Sequence, residues 1–425
     1  MVREILAGLA TFSAMASVLA VHPAILATTG MDKGALVTAT ALSAAIFTAA
    51  MALLTNYPIV MGPAGGTNAY FAFTVCGLMG VPWRAALGLV FYSGVLFFVV
   101  SISGIRTRIV DAIPMELKLA ITCGIGLFMA FIGLQNGGLV VANRYTLVSM
   151  GHLADPRCLL ALAGTIFTGA LIRKRVRGAV VIGVLAVTVV CGFVHGPGGG
   201  TLAHLPRDPV GLPASLRPLF LQLDLRYLWT HFSSTFVVVL ALLFVGVFDN
   251  LGSLIGICNR AGFLDKDGRV PKAGRVFLAD AGAAMLGACL GTSNVQCYSE
   301  SAIGVEEGGR TGLTAITAAV CMLLALFLTP LILAIPLVAT AAPLIIVGVF
   351  MMEGAVHIGL TDFGKALPAV ITMFLMPLTF SISDSIGIGL VVYAAFNLAT
   401  GRGRQVTGLA YALAALFLVY AYFRP

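Results

Sequence analysis

Apolar runs of about 20 residues, the length a helix needs to cross a bilayer, recur along this chain between short polar loops. They predict spans near 4–28, 35–54, 67–79, 82–102, 117–136, 155–172 and 176–194. A loop rich in Pro, Gly, Arg and Leu runs from His195 to Thr230. Further apolar runs lie near 231–258, 271–290, 294–304, 312–335, 340–358, 366–381, 384–400 and 405–423. This is the pattern of an all-α polytopic membrane protein. The stretch from Met1 to Leu26 lacks a small-residue cleavage site followed by a polar domain, so it reads as the first span and not as a removed signal peptide.

Seven spans precede the long loop and seven or eight follow it; the count over 366–425 stays open. Basic residues set the orientation, because they collect in cytoplasmic loops. With Arg3 in the cytoplasm, Arg106, Arg108 and Lys118 fall on the same side. So do Arg173, Lys174, Arg175 and Arg177, then Arg260, Lys266, Arg269, Lys272, Arg275 and Arg310. The 195–230 loop then lies outside. An odd number of spans before the midpoint gives the two halves opposite topology, the mark of an inverted repeat. Residues 1–194 and 231–425 are the expected repeats, with 195–230 an extracytoplasmic loop.

Two segments are too short and too broken for ordinary spans. One reads Met61-Gly-Pro-Ala-Gly-Gly-Thr-Asn-Ala-Tyr-Phe-Ala-Phe-Thr74, the other Leu290-Gly-Thr-Ser-Asn-Val-Gln-Cys-Tyr-Ser-Glu-Ser301. Each is the third segment of its half. Irregular backbone at membrane depth persists only where protein or a wet cavity satisfies its polar groups. Interrupted segments at matching places in two halves therefore point to a transport site. The bland reading is a pair of Gly-rich helix contacts. The half-helices after each break would aim N-terminal N–H groups at the cavity. Tyr70, Phe71 and Phe73 offer faces to stack on a planar ring.

Composition sharpens this picture. Of 425 residues, 59% are hydrophobic and 10% charged, against about 25% charged in soluble domains. The net charge of +8 comes from the loop cations, so no nucleic-acid partner is expected; the surroundings are the lipid bilayer. Eight Cys residues lie mostly in apolar spans without a CxxC, which suggests neither disulfides nor a zinc site. His22, His231 and His357 lie near span ends with no metal-ligand spacing, so no metal is expected. There is no phosphate-binding loop of the G-x-x-x-x-G-K-[ST] type. A secondary transporter is favoured over a pump, and an enzyme or a cofactor is not expected.

Five acids fall within apolar spans: Asp249, Asp280, Glu300, Glu353 and Asp384. A carboxylate at mid-bilayer costs at least about 2.5 kcal/mol on insertion scales, so each needs a reason to stay. Asp249 lies well inside the eighth span, and Glu300 directly follows the second broken segment; no Lys or Arg lies in the core of either span. Two such acids suit two jobs. One accepts hydrogen bonds from ring N–H groups of a ligand; the other takes up and releases a proton, its affinity raised by desolvation. The bland reading for each is a protonated acid bonded to a carbonyl. Asp280 and Glu353 read as packing or hinge groups, and Asp384 as ambiguous.

These motifs resemble a known family. The likeness begins at Ala10-Thr11-Phe12 and continues through Asn56-Tyr57-Pro58, Asn68-Ala69-Tyr70-Phe71 and Gly124-Ile-Gly-Leu-Phe128. It takes in Phe248-Asp249 with Gly252, Leu254, Ile255 and Gly256, and is sharpest at Gly291-Thr-Ser293, Tyr298, Glu300-Ser301 and Gly308-Gly-Arg-Thr-Gly-Leu-Thr314. It persists into Met376-Pro-Leu-Thr379. Over nearly its whole length the chain resembles the AzgA-like purine permeases of the nucleobase–cation symporter-2 superfamily, relatives of the nucleobase–ascorbate transporters.

The resemblance implies fourteen transmembrane segments in two inverted repeats of seven, with short broken third and tenth segments. It implies a core domain (1–105 and 231–335) and a gate domain (106–194 and 336–425), with substrate held between the third and tenth segments. It implies proton-coupled uptake of a purine nucleobase, adenine, guanine or hypoxanthine, by alternating access. The substrate contacts it suggests are Asp249, Glu300 and Asn68, with Thr67, Phe71, Asn250, Thr292, Ser293 and Asn294 nearby; Glu300 and Asp249 are the proton-coupling candidates. Members often work as homodimers. The expected location is the bacterial inner (plasma) membrane with a cytoplasmic N-terminus.

The chain departs from the family at places that matter. Where the family has Gly-Met-Gly-Leu-Asn, this chain has Ala64-Gly-Gly-Thr-Asn68. Where it has Thr-Val-Thr-Thr-Tyr-Ile, this chain has Asn294-Val-Gln-Cys-Tyr-Ser299, and Asn250 stands where Thr is usual. Amides offer both donors and an acceptor where hydroxyls offer less reach. The exact base therefore stays open. So do a carrier of another planar heterocycle, a xanthine derivative or pyrimidine, and an uncoupled uniporter on the same fold.

Overall fold

The computed structural model describes residues 1–102, 114–176, 178–195, 200–203, 206, 208–263, 270–298 and 300–423. Arg106, Arg108, Arg177, Lys266 and Arg269 lie outside the described residues.

The first apolar run forms two consecutive helices, α1 (Val2–Met15) and α2 (Val18–Ala27), which together make the single span expected there, Val2–Ala27. Pro23 inside α2 has no N–H for the ladder. Helix α3 (Lys33–Thr55) starts where Asp32 Oδ1 accepts from Ala35 N at 2.7 Å and stops at Asn56, left-handed at φ 58°. The first broken segment follows as strand β1 (Met61–Pro63), helix α4 (Gly65–Ala69) and a wider π-helical stretch, Tyr70–Leu78. Then come α5 (Trp83–Ile102) and α6 (Met115–Asn136). A hairpin that hydropathy did not foreshadow, β2 (Val140–Asn143) with β3 (Leu147–Met150), precedes α7 (Pro156–Arg173) and α8 (Ala179–Cys191).

The second half repeats the theme. Helices α9 (Phe232–Ala261) and α10 (Ala273–Leu290) lead into strand β4 (Val295–Cys297) and the short α11 (Ser301–Glu306). Then follow α12 (Gly312–Ala325), α13 (Ala341–Met351), α14 (Phe363–Thr379), α15 (Ile382–Ala399) and α16 (Gly408–Phe423). Among the described residues, seven helices are long and apolar enough to cross a membrane, and shorter apolar helices accompany them. Many large apolar side chains face outward, such as Leu53, Val99 and Ile166. Lipid tails are as apolar as these side chains, so their exposure carries no penalty.

Helix contacts sort into two sets. In one, α3 lies on α10 and α12, α5 on α9 and α10, and α1 on α11 and α12. In the other, α6 lies on α13 and α14, α14 on α15, α15 on α16, and α7 on α8 and α13. The α6–α13 crossing is close because glycines sit at it: a Cβ on Gly348 would come within 2.7 Å of Ala130 Cβ.

Polar contacts gather at the two ends of α3. At one end the Glu4 carboxylate accepts from Arg310 N at 3.1 Å, Asn56 Oδ1 accepts from Gly312 N at 3.0 Å, and Lys272 Nζ donates to Thr55 O at 3.1 Å. At the other, Lys33 Nζ donates to Leu333 O at 3.1 Å and Thr38 Oγ1 to Ala214 O at 2.8 Å. Glu353 lies exposed on the 3₁₀ turn Met352–His357 that follows α13, within the apolar stretch Leu337–His357.

Candidate functional site

The two broken segments meet. Strands β1 and β4 pair antiparallel, Met61 opposite Cys297, Gly62 opposite Gln296 and Pro63 opposite Val295. The ladder extends at both ends, with Ala64 N donating to Asn294 O at 2.9 Å and Tyr298 N to Val60 O at 3.0 Å. Side chains bond further backbone groups: Met61 N donates to Thr48 Oγ1 at 2.8 Å and Val60 N to Ser301 Oγ at 3.0 Å. Extended backbone is stable this deep because protein groups, not water, satisfy it.

A small cavity of about 110 Å³ opens beside this ladder. Its polar side is His22 of α2 with Gln296, Tyr298 and Glu300. Gly65 and Gly66 of α4 let the backbone come close. The facing wall is apolar: Met129 of α6, then Pro343, Leu344, Val347 and Met351 of α13. One set of helices thus lines the polar side of the cavity and the other its apolar side.

Glu300 stands at the wall, immediately before α11. Asn68 is fully buried and lies behind the wall. Its Nδ2 meets His22 Nδ1, and its Oδ1 accepts from Ser293 Oγ. An amide N–H donated to Nδ1 leaves the imidazole proton on Nε2. Nε2 faces Tyr298 OH at 3.2 Å, and that hydroxyl donates to Pro63 O at 2.5 Å. One chain of bonds therefore joins the 291–294 turn, α4, α2 and β1.

The other named positions are distributed around this chain. Thr67 Oγ1 closes on its own turn, donating to Ala64 O at 3.1 Å. Thr292 is buried, and its Oγ1 has no hydrogen-bond partner among the described residues. Neither does Asn294 Oδ1; the Asn294 amide nitrogen lies 2.6 Å from where a Cβ on Gly246 of α9 would stand. Asp249 and Asn250 belong to α9 about one turn further on; their side chains lie outside the described residues. Tyr70 and Phe71 sit in the main apolar core, and Phe73 meets the Phe380 ring edge-on at 6.4 Å, so these rings are away from the cavity wall.

Sequence reasoning did not single out His22 and Gln296 as wall residues. His22 carried a signal, an imidazole in an otherwise apolar run. Gln296 stood in plain view inside the second broken segment. Asp280, read as structural, is 1% exposed on α10 behind β4, with Cys297 Sγ at 3.9 Å from its Oδ1.

Paired broken segments, two helix sets and a cavity with a polar and an apolar side define a membrane carrier. Residues 2–388 match the model of the Permease family (Xan_ur_permease), and the chain belongs to that family. The guanine/hypoxanthine permease PbuG of Bacillus subtilis is 40% identical over 99% of this chain and 96% of its own length. The adenine permease AdeQ of Escherichia coli is 36% identical over 97% and 91%. The nucleobase transporter PlAzg2 of Paenibacillus larvae is 33% identical over 93% and 77%. The transmembrane domain of a cyanobacterium bicarbonate transporter, BicA, shares the fold with a TM-score of 0.65 at 15% identity, over 91% of this chain and 97% of that one. The protein is a transporter of the AzgA-like purine permease type and not an enzyme.

Proposed function

We propose that this permease imports a purine nucleobase, adenine, guanine or hypoxanthine, together with protons. The observation that carries the reading is the cavity where Glu300, Gln296, His22 and Tyr298 face an apolar wall at the meeting of two broken segments. A planar, polar ring suits it: flat faces against Leu344 and Met351, edge groups against the polar side. The names of PbuG, AdeQ and PlAzg2 support the substrate class.

Glu300 accepts from a ring N–H, and Glu300 with Asp249 links binding to protonation. Alternating access moves a core (1–105 and 231–335) against a gate (106–194 and 336–425); the two contact sets support this division. The antiparallel pairing of the third and tenth segments supports fourteen segments in two inverted repeats. Basic loops support a cytoplasmic N-terminal face in a bacterial inner membrane.

The test is uptake of labelled adenine, guanine and hypoxanthine by cells lacking their own purine uptake. One base accumulates, and a protonophore abolishes accumulation. Accumulation untouched by the protonophore would make the protein a uniporter. Transport of a pyrimidine or xanthine alone would replace the substrate class.

A further inference from the structure

Several helical threonines in this chain turn their hydroxyls back on their own helix. Thr11 Oγ1 donates to Ala7 O at 3.0 Å, Thr55 to Met51 O at 2.7 Å and Thr188 to Val184 O at 2.7 Å. Thr74 does not. It is buried in the π-helical stretch Tyr70–Leu78, and its Oγ1 donates to the carbonyl of Phe380. Phe380 ends α14 in a left-handed conformation, φ 52°. A carbonyl at a helix end has no partner within the helix, and at membrane depth it needs one; the third segment supplies it. Three rings meet the Phe380 side chain edge-on, Phe73 at 6.4 Å and Phe128 and Phe131 of α6 at 5.4 and 5.6 Å. An aromatic residue keeps a left-handed backbone only where its surroundings hold it.

This contact joins the two helix sets on one side of the cavity. The third segment lines the cavity with Gly65 and Gly66 and carries Thr74 near its far end at Leu78. Beyond that end, α5 begins against the 195–230 loop, where Asp224 N donates to Arg84 O at 2.9 Å. Helix α14 likewise begins at the Lys365–Glu116 pair, 2.7 Å apart, and ends at Phe380. Glu300 at the cavity wall leads the opposite way, into α11 and toward the Glu4–Arg310 contact.

We propose that the Thr74–Phe380 contact is the extracytoplasmic latch of this carrier. The proposal rests on the alternating-access reading above and deepens it. The latch holds core to gate on the outer side in this structure and parts when the cavity opens outward. Water then enters and takes over the Phe380 carbonyl, so the bond is exchanged and the barrier stays low. Without the Thr74 hydroxyl, the carbonyl has a partner only in the outward-open form.

The experiment measures how fast a membrane-impermeant thiol reagent, added outside spheroplasts, labels full-length protein carrying Val347→Cys. Val347 lies on the apolar wall of the cavity, and mass spectrometry reads labelling at that position alone. Thr74→Val keeps the shape and removes the hydroxyl. It raises the rate about fivefold, the worth of one net hydrogen bond. Thr74→Ser keeps the donor and retains the wild-type rate. Phe380→Leu keeps the backbone acceptor, loses the ring contacts and also raises the rate; it decides should Thr74→Val fail to fold. A merely structural bond lowers the melting point of Thr74→Val and leaves outside labelling unchanged, which overturns the latch. Outside labelling of the wild-type background as fast as that of Thr74→Val overturns it too. Neither result touches the nucleobase reading, which uptake tests separately. Absence of purine uptake with the labelling response intact removes the substrate class and keeps the latch.

Discussion

The side-chain amide of Asn68 closes on the imidazole of His22, 46 positions earlier in the chain, and both side chains are buried. The contact fixes the ring as a neutral imidazole with its proton on Nε2, because Nδ1 is occupied as an acceptor. It also joins α2 to α4 at the mouth of the first broken segment.

His22→Ala leaves the Asn68 amide without this acceptor. Loss of one partner in a buried pair costs about 1–3 kcal/mol. The purified variant should melt several degrees lower. His22→Asn, whose amide oxygen falls near the place of Nδ1, should recover most of that loss. Equal melting points for wild type and His22→Ala would show that the contact carries no stability.

Glu300→Gln tests the carboxylate at the cavity wall. A hydrogen bond to a charged group is worth about 1.5–3 kcal/mol, or roughly 10- to 150-fold in affinity. Base binding should weaken by that factor while the ligand-free melting point changes little. Asp249→Asn should reduce protonophore-sensitive accumulation more than binding. Wild-type uptake by both variants would remove these acids from the mechanism.

Gly348→Val inserts a side chain at the α6–α13 crossing, where a Cβ alone would lie 2.7 Å from Ala130 Cβ. Overpacking of this kind costs about 1–3 kcal/mol. Thermal melting in detergent should show the loss. A variant as stable as wild type would mean that the two helices separate freely.

Asn56 has two structural duties, a left-handed backbone at φ 58° and a side-chain acceptor for Gly312 N at 3.0 Å. Asn56→Gly keeps the first and loses the second, at about 1 kcal/mol. Asn56→Ala loses both and should cost about 1 kcal/mol more. Melting points in the order wild type, Gly, Ala support this account; Ala above Gly contradicts it.

Much of the fold was legible because hydropathy is a local property. The bounds of α3, α5, α6 and α7 follow the apolar runs closely. The first run reads as one span, and its two helices together make one over Val2–Ala27; nothing in its hydropathy marks the break at Ala16–Ser17. The β2–β3 hairpin was missed because its strands of four residues are exposed and carry no core pattern. Helices α14, α15 and α16 have 17, 18 and 16 residues, the region where the span count had stayed open.

The candidate site was half legible. Small residues and glycines in a membrane span betray broken helices, so β1–α4 and β4–α11 could be found in advance. Which of their polar groups face the cavity could not. Asn68 and Ser293 stood out as polar residues in the broken segments, yet they bond each other across 225 positions. Gln296, one of several new amides, reaches the wall because its neighbours on β4 face α10.

By itself, the sequence determined that the chain lives in a membrane and where its two broken segments lie. These follow from length, apolarity and small polar residues, which each segment carries on its own. The tertiary structure alone decided the β1–β4 register, the His22–Asn68–Ser293 chain and the division of polar groups between cavity and protein. A hydrogen bond depends on distances between side chains far apart in sequence, and only the folded backbone sets those distances.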